Sequence, residues 1–345
     1  MAKAADLPAL RLFIEKQWKA KHILATNDVL LDWQHLNKET GDYNFVLGLE
    51  KRTQEIHGVL GFIQPSQFDV TMQLKQLCWM AIWKTHDAAR GGKLGRHLMA
   101  HLEEMMSPAF LYAIGASAMS LPLYQALGYQ VGRLGHFFIL NPEINVFKLA
   151  TVHKSRIVPQ IQIDDDKKCI AQVTADDILQ ISPEFFNKQK SASYKSAVYL
   201  INRYLSHPIY VYQAYKIQHA LSTVGLIVTR ICSHDDARAI RVVDFIGPSD
   251  ALRGLGSQWL NLLREEGAEY IDFYNAGVEE SDLLASGFTR RTTNDSTVIP
   301  NYFEPFSKIN VEIDYMVTVP AGQTYRIVKG DSDLDRPNLL VKSPF

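Results

Sequence analysis

The 345 residues predict an α/β (α+β) chain of two tandem domains, each a mixed, largely antiparallel sheet flanked by helices. Three observations carry that expectation. Residues 79–106, WMAIWKTHDAARGGKLGRHLMAHLEEMM, read as a strand that ends in a glycine-rich bend and continues as a helix. The order of hairpin, long strand, bend, helix, strand and helix returns in the second half, and two copies of one supersecondary order point to a tandem duplication. The chain is also longer than one average domain, and its apolar fraction of 47% is enough for two cores.

Taken in order, 8–20 reads as an amphipathic helix, and the segment around Trp33 and His35 as polar. NFVLGLEKR (44–52) and IHGVLGFIQP (56–65), joined by a short polar turn, have the pattern of a hairpin. A long strand is expected over 71–84, a helix over 93–106, a strand near 110–115, a helix over 118–127 and a closing strand at 135–140. The tract from 141 to the cluster DDDKK (164–168) reads as a connection, which sets the domains at 1–150 and 169–345 with 151–168 as linker.

In the second half VYLINRYL (198–205) is helical, and PIYVYQAYKIQ (208–218) and TVGLIVTRIC (223–232) form the second hairpin. ARAIRVVDFIG (237–247) is the second long strand and ALRGLGSQWLNLLREE (251–266) the helix after it. EYIDFYNAG (269–277) is a strand, and DLLASGF (282–288) a helix ending in Gly-aromatic.

Composition excludes several roles. A net charge of −1 and a pI near 6.8 argue against nucleic acid or an acidic membrane surface as the main partner. Cys78, Cys169 and Cys232 show neither pair nor metal spacing, which fits a reducing cytoplasm. MAKAADLPALRLFIEKQW lacks a continuous apolar h-region, and no run approaches the ~20 apolar residues of a membrane span. The expectation is a soluble, cytoplasmic protein, with homo-oligomerisation left open.

The bend carries the chemistry. A helix that starts where a strand ends presents unpaired N–H groups and the positive end of its dipole to an anion. Gly91, Gly92 and Gly95 let a phosphate approach the main chain, Arg90 adds charge, and Trp83, Lys84, Lys93 and Leu94 complete the turn. Further on, LPLYQALGY (121–129) sets Tyr124 on a helix ahead of a Gly-aromatic turn.

Strand, Arg-Gly bend, helix and Tyr-bearing helix together resemble the acyl-CoA site of the GNAT superfamily of N-acyltransferases. The superfamily bend has Gly where this chain has Lys93, with Gly92 one place earlier. More of the chain is similar to tandem GNAT proteins of bacterial surface-polysaccharide loci, among them the sugar N-acyltransferases of the anthrose pathway. The matching words are FD (68–69), WMAIWK (79–84), LYQALGY (123–129), HFFILN (136–141), NRYLSHPIYVY (202–212), RVVDFIG (241–247), EYIDF (269–273), IPNYFEPF (299–306) and KGDSDLDRPN (329–338). The resemblance implies an acetyl-CoA or other acyl-CoA donor and a nucleotide-linked amino sugar as acceptor, in lipopolysaccharide or O-antigen assembly.

Acyl transfer to an amine needs a held thioester, a stabilised carbonyl oxygen and a route for the amine proton. In the fold this chain resembles, the strand before the bend splays from its neighbour and a backbone N–H there serves the carbonyl; that stretch is Trp79–Lys84. Strict alternation puts Trp79, Ala81 and Trp83 on one face and Met80, Ile82 and Lys84 on the other. Tyr124 matches the tyrosine that protonates the leaving thiolate. No Asp or Glu lies between 70 and 86. Of Asp69, His57, His86, Asp87 and His136, His136 is the first choice for the general base, because the closing strand borders the acceptor side of the cleft in the fold this chain resembles and imidazole titrates near working pH. A base-free route leaves Asp69 to orient the acceptor, and His86 and Asp87 shape the bend.

Trp33, His35, Arg203 and Tyr302, with Tyr204 and Asn301, are the candidates for an aromatic face and diphosphate donors on the acceptor side. The second bend, Arg253-Gly254-Leu255-Gly256, reads as a relic of the duplicated site, because no tyrosine stands four residues before Gly287. Asp331, Asp333 and Asp335 begin like a calcium loop but lack its Gly and Glu, so the segment reads as a polar turn in which Arg336 pairs an acid, with no metal. The alternative is a non-catalytic scaffold of the same fold that binds a nucleotide or a partner.

Overall fold

The computed structural model describes residues 1–72, 77–89, 92–152, 168–188, 194–293 and 296–339. Arg90 and Gly91, and most of the 151–168 tract, lie outside the described residues. Along the chain, α1 (Leu7–Phe13) runs on as a π-helical turn, and α2 (Ile23–Thr26) and α3 (Asp28–His35) follow. Next come β1 (Phe45–Leu49), β2 (Ile56–Ile63), β3 (Leu77–Thr85), α4 (Leu94–Met106), β4 (Phe110–Ala116), α5 (Leu121–Ala126), β5 (Gln130–Arg133) and β6 (Gly135–Leu140). The second half holds β7 (Lys168–Val173), α6 (Ala175–Leu179), α7 (Pro183–Asn187), α8 (Ala197–Leu200), β8 (Tyr212–His219), β9 (Ser222–His234) and β10 (Ala237–Ile246). It ends with α9 (Gly256–Glu266), β11 (Tyr270–Ala276), α10 (Glu280–Ala285), β12 (Thr289–Arg290), β13 (Tyr302–Phe303), β14 (Phe306–Ser307), β15 (Asp314–Thr318) and β16 (Ile327–Val328).

Trp33, in the segment that the sequence reads as polar, lies on α3, whose N-terminus is capped by Asn27 Oδ1 accepting from Leu30 N at 2.8 Å.

The chain forms two compact units. The first takes the described residues of Met1–Gly132, Asp314–Ala321 and Ser332–Phe345; the second takes those of Arg133–Ile313 and Gly322–Asp331. The first sheet has the order β1-β2-β3-β4-β15-β5, and the second β12-β6-β11-β10-β9-β8-β7 with β16 on β11. Parallel pairing occurs between β3 and β4 and between β10 and β11, while β1–β2, β2–β3, β4–β15, β6–β11, β7–β8, β8–β9 and β9–β10 run antiparallel.

One connection departs from the sequence expectation. Gly135–Leu140, read as the closing strand of the first half, pairs along its length with Tyr270–Asn275 in the second sheet. The corresponding place in the first sheet, between β4 and β5, is taken by β15 from near the end of the chain. The units therefore divide after Gly132, not in the tract beyond 140. Period-2 patterning specifies that HFFIL is a strand but says nothing about which edge it joins.

In the first unit α4 lays Leu98, Met99 and Leu102 on the sheet beside Leu60, Phe62 and Met80. Full burial of each such side chain stabilises by roughly 1.5–3 kcal/mol. Close approach needs a bare backbone beneath: a Cβ on Gly58 would lie 2.9 Å from Leu98 Cδ1. The helix stops at Ser107, which adopts the left-handed conformation (φ 43°). In the second unit Trp259 and Leu263 of α9 play the corresponding part against Ile240, Val242, Phe245 and Phe273.

Candidate functional site

In both sheets the parallel pair comes apart. β3 and β4 pair from Leu77↔Phe110 to Met80↔Ala113, after which β3 runs on to Thr85 and β4 to Ala116 with no pairing between them among the described residues. The result is a fork whose mouth lies beside the start of α4. At its root β3 carries a bulge: Met80 opposes Phe62 and Trp83 opposes Leu60, so one extra residue is inserted against Gly61. The bulge shifts the side-chain phase. Simple alternation separates Met80 from Trp83; with the inserted residue both pack in the α4-facing cluster, together with Tyr124.

That cluster is the first unit's candidate site. Trp83 and Tyr124 lie with ring centroids 5.7 Å apart, and the Trp83 ring borders Gly95, where a Cβ would come within 3.3 Å of it. The Trp83 indole nitrogen is buried without a hydrogen-bond partner among the described residues. Tyr124 is buried on α5, which ends at Gly128 with φ 84°. Burial pushes its phenol well above the ordinary value, so it stays protonated at neutral pH with an O–H available to donate.

Among the described residues no side chain caps the start of α4, and its first intrahelical bond is His97 N to Lys93 O at 3.0 Å, so the N–H groups of Leu94, Gly95 and Arg96 stand at an uncapped end. The preceding turn is tied down: His86 N donates to His57 O at 2.7 Å, His86 Nδ1 accepts from Ala88 N at 3.0 Å, and Lys84 pairs with Asp87 at 3.4 Å. Lys93 and Gly92 are exposed, and Gly92 N donates to Ala89 O at 3.2 Å. Glycine amides, an open helix end and a lysine suit a diphosphate, and the fork beyond suits an extended amide arm that pairs as a strand would.

The second unit has the same fork, filled. β10 and β11 pair from Ile240↔Ile271 to Val242↔Phe273, and a bulge at Val243 follows. Into the gap comes the segment Ile327–Asp331. Ile327 and Val328 pair with Ala276 and Asn275 of β11, and Gly330 N donates to Val243 O at 2.7 Å. Arg203 Nη2 donates to Gly330 O at 3.1 Å, and Lys195 Nζ joins Asp244 (2.7 Å) and Asp331 (2.8 Å). Burial alone would lower the Lys195 ammonium; the two carboxylates outweigh it and hold the charge. Gly330 is the residue that fits, because a Cβ there would fall 2.2 Å from Tyr204 Oη and 2.8 Å from Val243 O. Arg253 is engaged by Asp282, and Leu283 stands where the first unit has Tyr124.

The other sequence candidates distribute as follows. His136 sits in the second unit: its Nε2 meets Asp272 at 3.3 Å, Arg291 Nε donates to its Nδ1 at 3.1 Å, and its ring stacks on Tyr274 at 3.7 Å. Burial lowers it to about 4 against the opposing pull of Asp272, so it is a neutral member of a core network. Arg203 belongs to the clamp on Gly330, and Tyr302 is 41% exposed on the β13–β14 ribbon. In the first unit Asp69 Oδ1 is occupied by the Thr71 amide (2.9 Å) and hydroxyl (2.7 Å). His35 is buried against Phe45 with Nδ1 3.1 Å from Phe62 O, and Trp33 packs on Phe68 at 5.0 Å. Among the described residues of the first unit Trp83, Leu94, Gly95 and Tyr124 come together, with Lys84, Gly92 and Lys93 in the adjoining bend, while Asp69, Trp33 and His35 lie outside that cluster; His136, Arg203 and Tyr302 belong to the second unit.

Two buried histidines make stability acid-sensitive. His22 is lowered to about 3 and His136 to about 4, both chiefly by burial, from the ordinary 6.5. The unfolded chain takes up protons that the folded one refuses. Stability is therefore full above pH 6.5 and declines as pH falls toward 4, by about 3 kcal/mol for His136 alone. Thermal unfolding followed across this window should show the loss, and His136→Gln should flatten part of it; an unchanged slope would count against a neutral buried imidazole.

No protein-family model matches the sequence, nor does any curated protein. Solved structures do match. One is a GCN5-related N-acetyltransferase from Anabaena variabilis ATCC 29413, with 15% identity, a TM-score of 0.56, and coverage of 92% of this chain and 71% of that one. Another is a conserved protein of Enterococcus faecalis V583 described as a probable N-acyltransferase, with 10% identity, a TM-score of 0.53 and the same coverages of 92% and 71%. At these identities the likeness is one of fold: the chain has the mixed α/β architecture of GCN5-related N-acetyltransferases.

Proposed function

We propose that the chain is an acyl-CoA-dependent N-acyltransferase whose donor site is the first unit's fork. The observation that carries this is the conjunction of a parted parallel pair, an α4 start with Gly92 and Gly95 and no side-chain cap among the described residues, and the Tyr124 ring packed with Trp83, which borders Gly95. A bound thioester supplies an activated acyl carbon. The α4 amides and Lys93 hold the diphosphate, with Arg90 and Gly91 of the same bend as further proposed contacts. Backbone N–H groups of β3 past the bulge serve the carbonyl oxygen, and Tyr124 donates the proton that the leaving sulfur needs. The acceptor is an amine, and its further definition as a nucleotide-linked amino sugar of surface-polysaccharide assembly rests on the resemblance of 202–212, 299–306 and 329–338.

Because Ile327–Asp331 occupies the second fork, calorimetric titration with acetyl-CoA is expected to give one site per chain. Release of CoA thiol with a panel of free and nucleotide-linked amino sugars then tests turnover. Absence of binding removes the enzyme; binding with no thiol release across the panel favours a nucleotide-binding scaffold.

A further inference from the structure

The first strand of the fork contains no carboxylate, yet one reaches the fork from the far end of the chain. Within the first unit, residues 332–338 run along the fork toward the helical layer. Ser332, buried and in the left-handed conformation (φ 56°), donates its hydroxyl to Met80 O at 3.3 Å, at the last paired residue of β3 before the bulge. Leu334 Cδ1 lies 3.5 Å from where a Cβ of Gly115 would sit on β4, and Asn338 O accepts from Ile23 N at 3.0 Å at the start of α2.

Asp333 follows Ser332 directly. Its Oδ2 accepts from Arg336 Nε at 3.0 Å, and its Oδ1 lies 3.5 Å from the Ser332 hydroxyl with no other partner among the described residues. Each carboxylate oxygen can accept about two hydrogen bonds, so Oδ1 keeps capacity that Arg336 does not use. Side-chain exposures of 11% for Asp333 and 9% for Arg336 leave the pair reachable yet mostly shielded from water, where a charge–charge contact counts for more.

We propose that Asp333 is the anchor for the acceptor ammonium: Oδ1 receives the incoming cation at the root of the fork. The inference rests on the acyltransfer reading and defines its acceptor as a cationic primary amine. The bound ammonium gives one proton to solvent, and the freed lone pair forms the C–N bond. The C–S electron pair leaves with sulfur, which takes the Tyr124 proton. The second nitrogen proton goes to solvent as the phenol regains its own from there.

Asp333→Asn is expected to raise KM for the best amine of the panel roughly 10- to 100-fold, the range for a charge-assisted contact. Acetyl-CoA affinity should stay within about twofold, since α4 is untouched. Hydroxylamine, neutral at working pH, should be acetylated at the wild-type rate, and Asp333→Glu should recover part of the amine KM. Arg336→Gln, which frees Oδ2, should lower that KM and gives a second readout if Asp333→Asn fails to fold. Unchanged amine KM in both variants, or an equal loss toward hydroxylamine, overturns the anchor alone. A wild-type protein that binds no acetyl-CoA and releases no thiol removes the acyltransfer reading and the anchor with it.

Discussion

Replacing Tyr124 by phenylalanine is expected to lower kcat by roughly 10²-fold, the lower end of what a positioned general acid contributes. The ring would stay where it is, 5.7 Å from Trp83 and 6.2 Å from Tyr129, so acyl-CoA affinity and stability should hardly move. The hydroxyl has no hydrogen-bond partner among the described residues, so its removal orphans nothing. The phenol is protonated at neutral pH and can donate to a departing thiolate, while burial, by raising its pKa, makes it a weaker acid, so the rate gain is placed at the low end of that range. Steady-state kinetics with KM and kcat separated is the measurement. An unchanged kcat would mean that water or the acceptor protonates the sulfur.

The largest expected loss of stability lies elsewhere. Arg241 and Asp272 are both about 98% buried or more, joined by Arg241 Nε and Nη2 at 3.0 and 2.8 Å, and the arginine also donates to Pro300 O and Asn301 O. Burial would raise the Asp272 carboxyl, but Arg241 outweighs it and holds it ionised. Asp272→Ala leaves a guanidinium without its counter-charge and should cost about 3–5 kcal/mol. For a unit of this size that is a fall in Tm of about 10 °C. Asp236→Ala, which removes the exposed partner of Lys148, should cost under about 1 kcal/mol. Comparable losses in the two variants, read by thermal unfolding, would contradict the buried-pair account.

Much of the fold was readable because its signals are local. The hairpins Phe45–Ile63 and Tyr212–His234, the helices from Leu94 and Gly256, and the Gly-aromatic stops at Gly128 and Gly287 all announce themselves by period and by turn residues. Tyr124 and the α4 mouth could be chosen for the same reason. What stayed hidden depends on distant pairing. A strand pattern such as HFFIL carries no address, so nothing in it tells that Gly135–Leu140, with His136, pairs in the second sheet and not the first. The bulge at Ala81–Ile82 leaves no mark in the residues themselves, yet it decides which way Trp83 faces. The polar run after Val328 looked like a turn because acids and glycine favour turns; its positions against Val243 and Met80 arise only once both sheets exist.

The exchange of β6 and β15 has a consequence for anyone who would dissect the gene. Severing the chain in the tract after Leu140 deprives one fragment of Asp314–Thr318 and leaves the other without Gly135–Leu140. Each fragment would then display a slot flanked by unsatisfied amides, a template for sticking to its neighbours. Each half of the chain thus completes a sheet with a strand from the other half, and whatever one half does it can be expected to do only in the presence of the other.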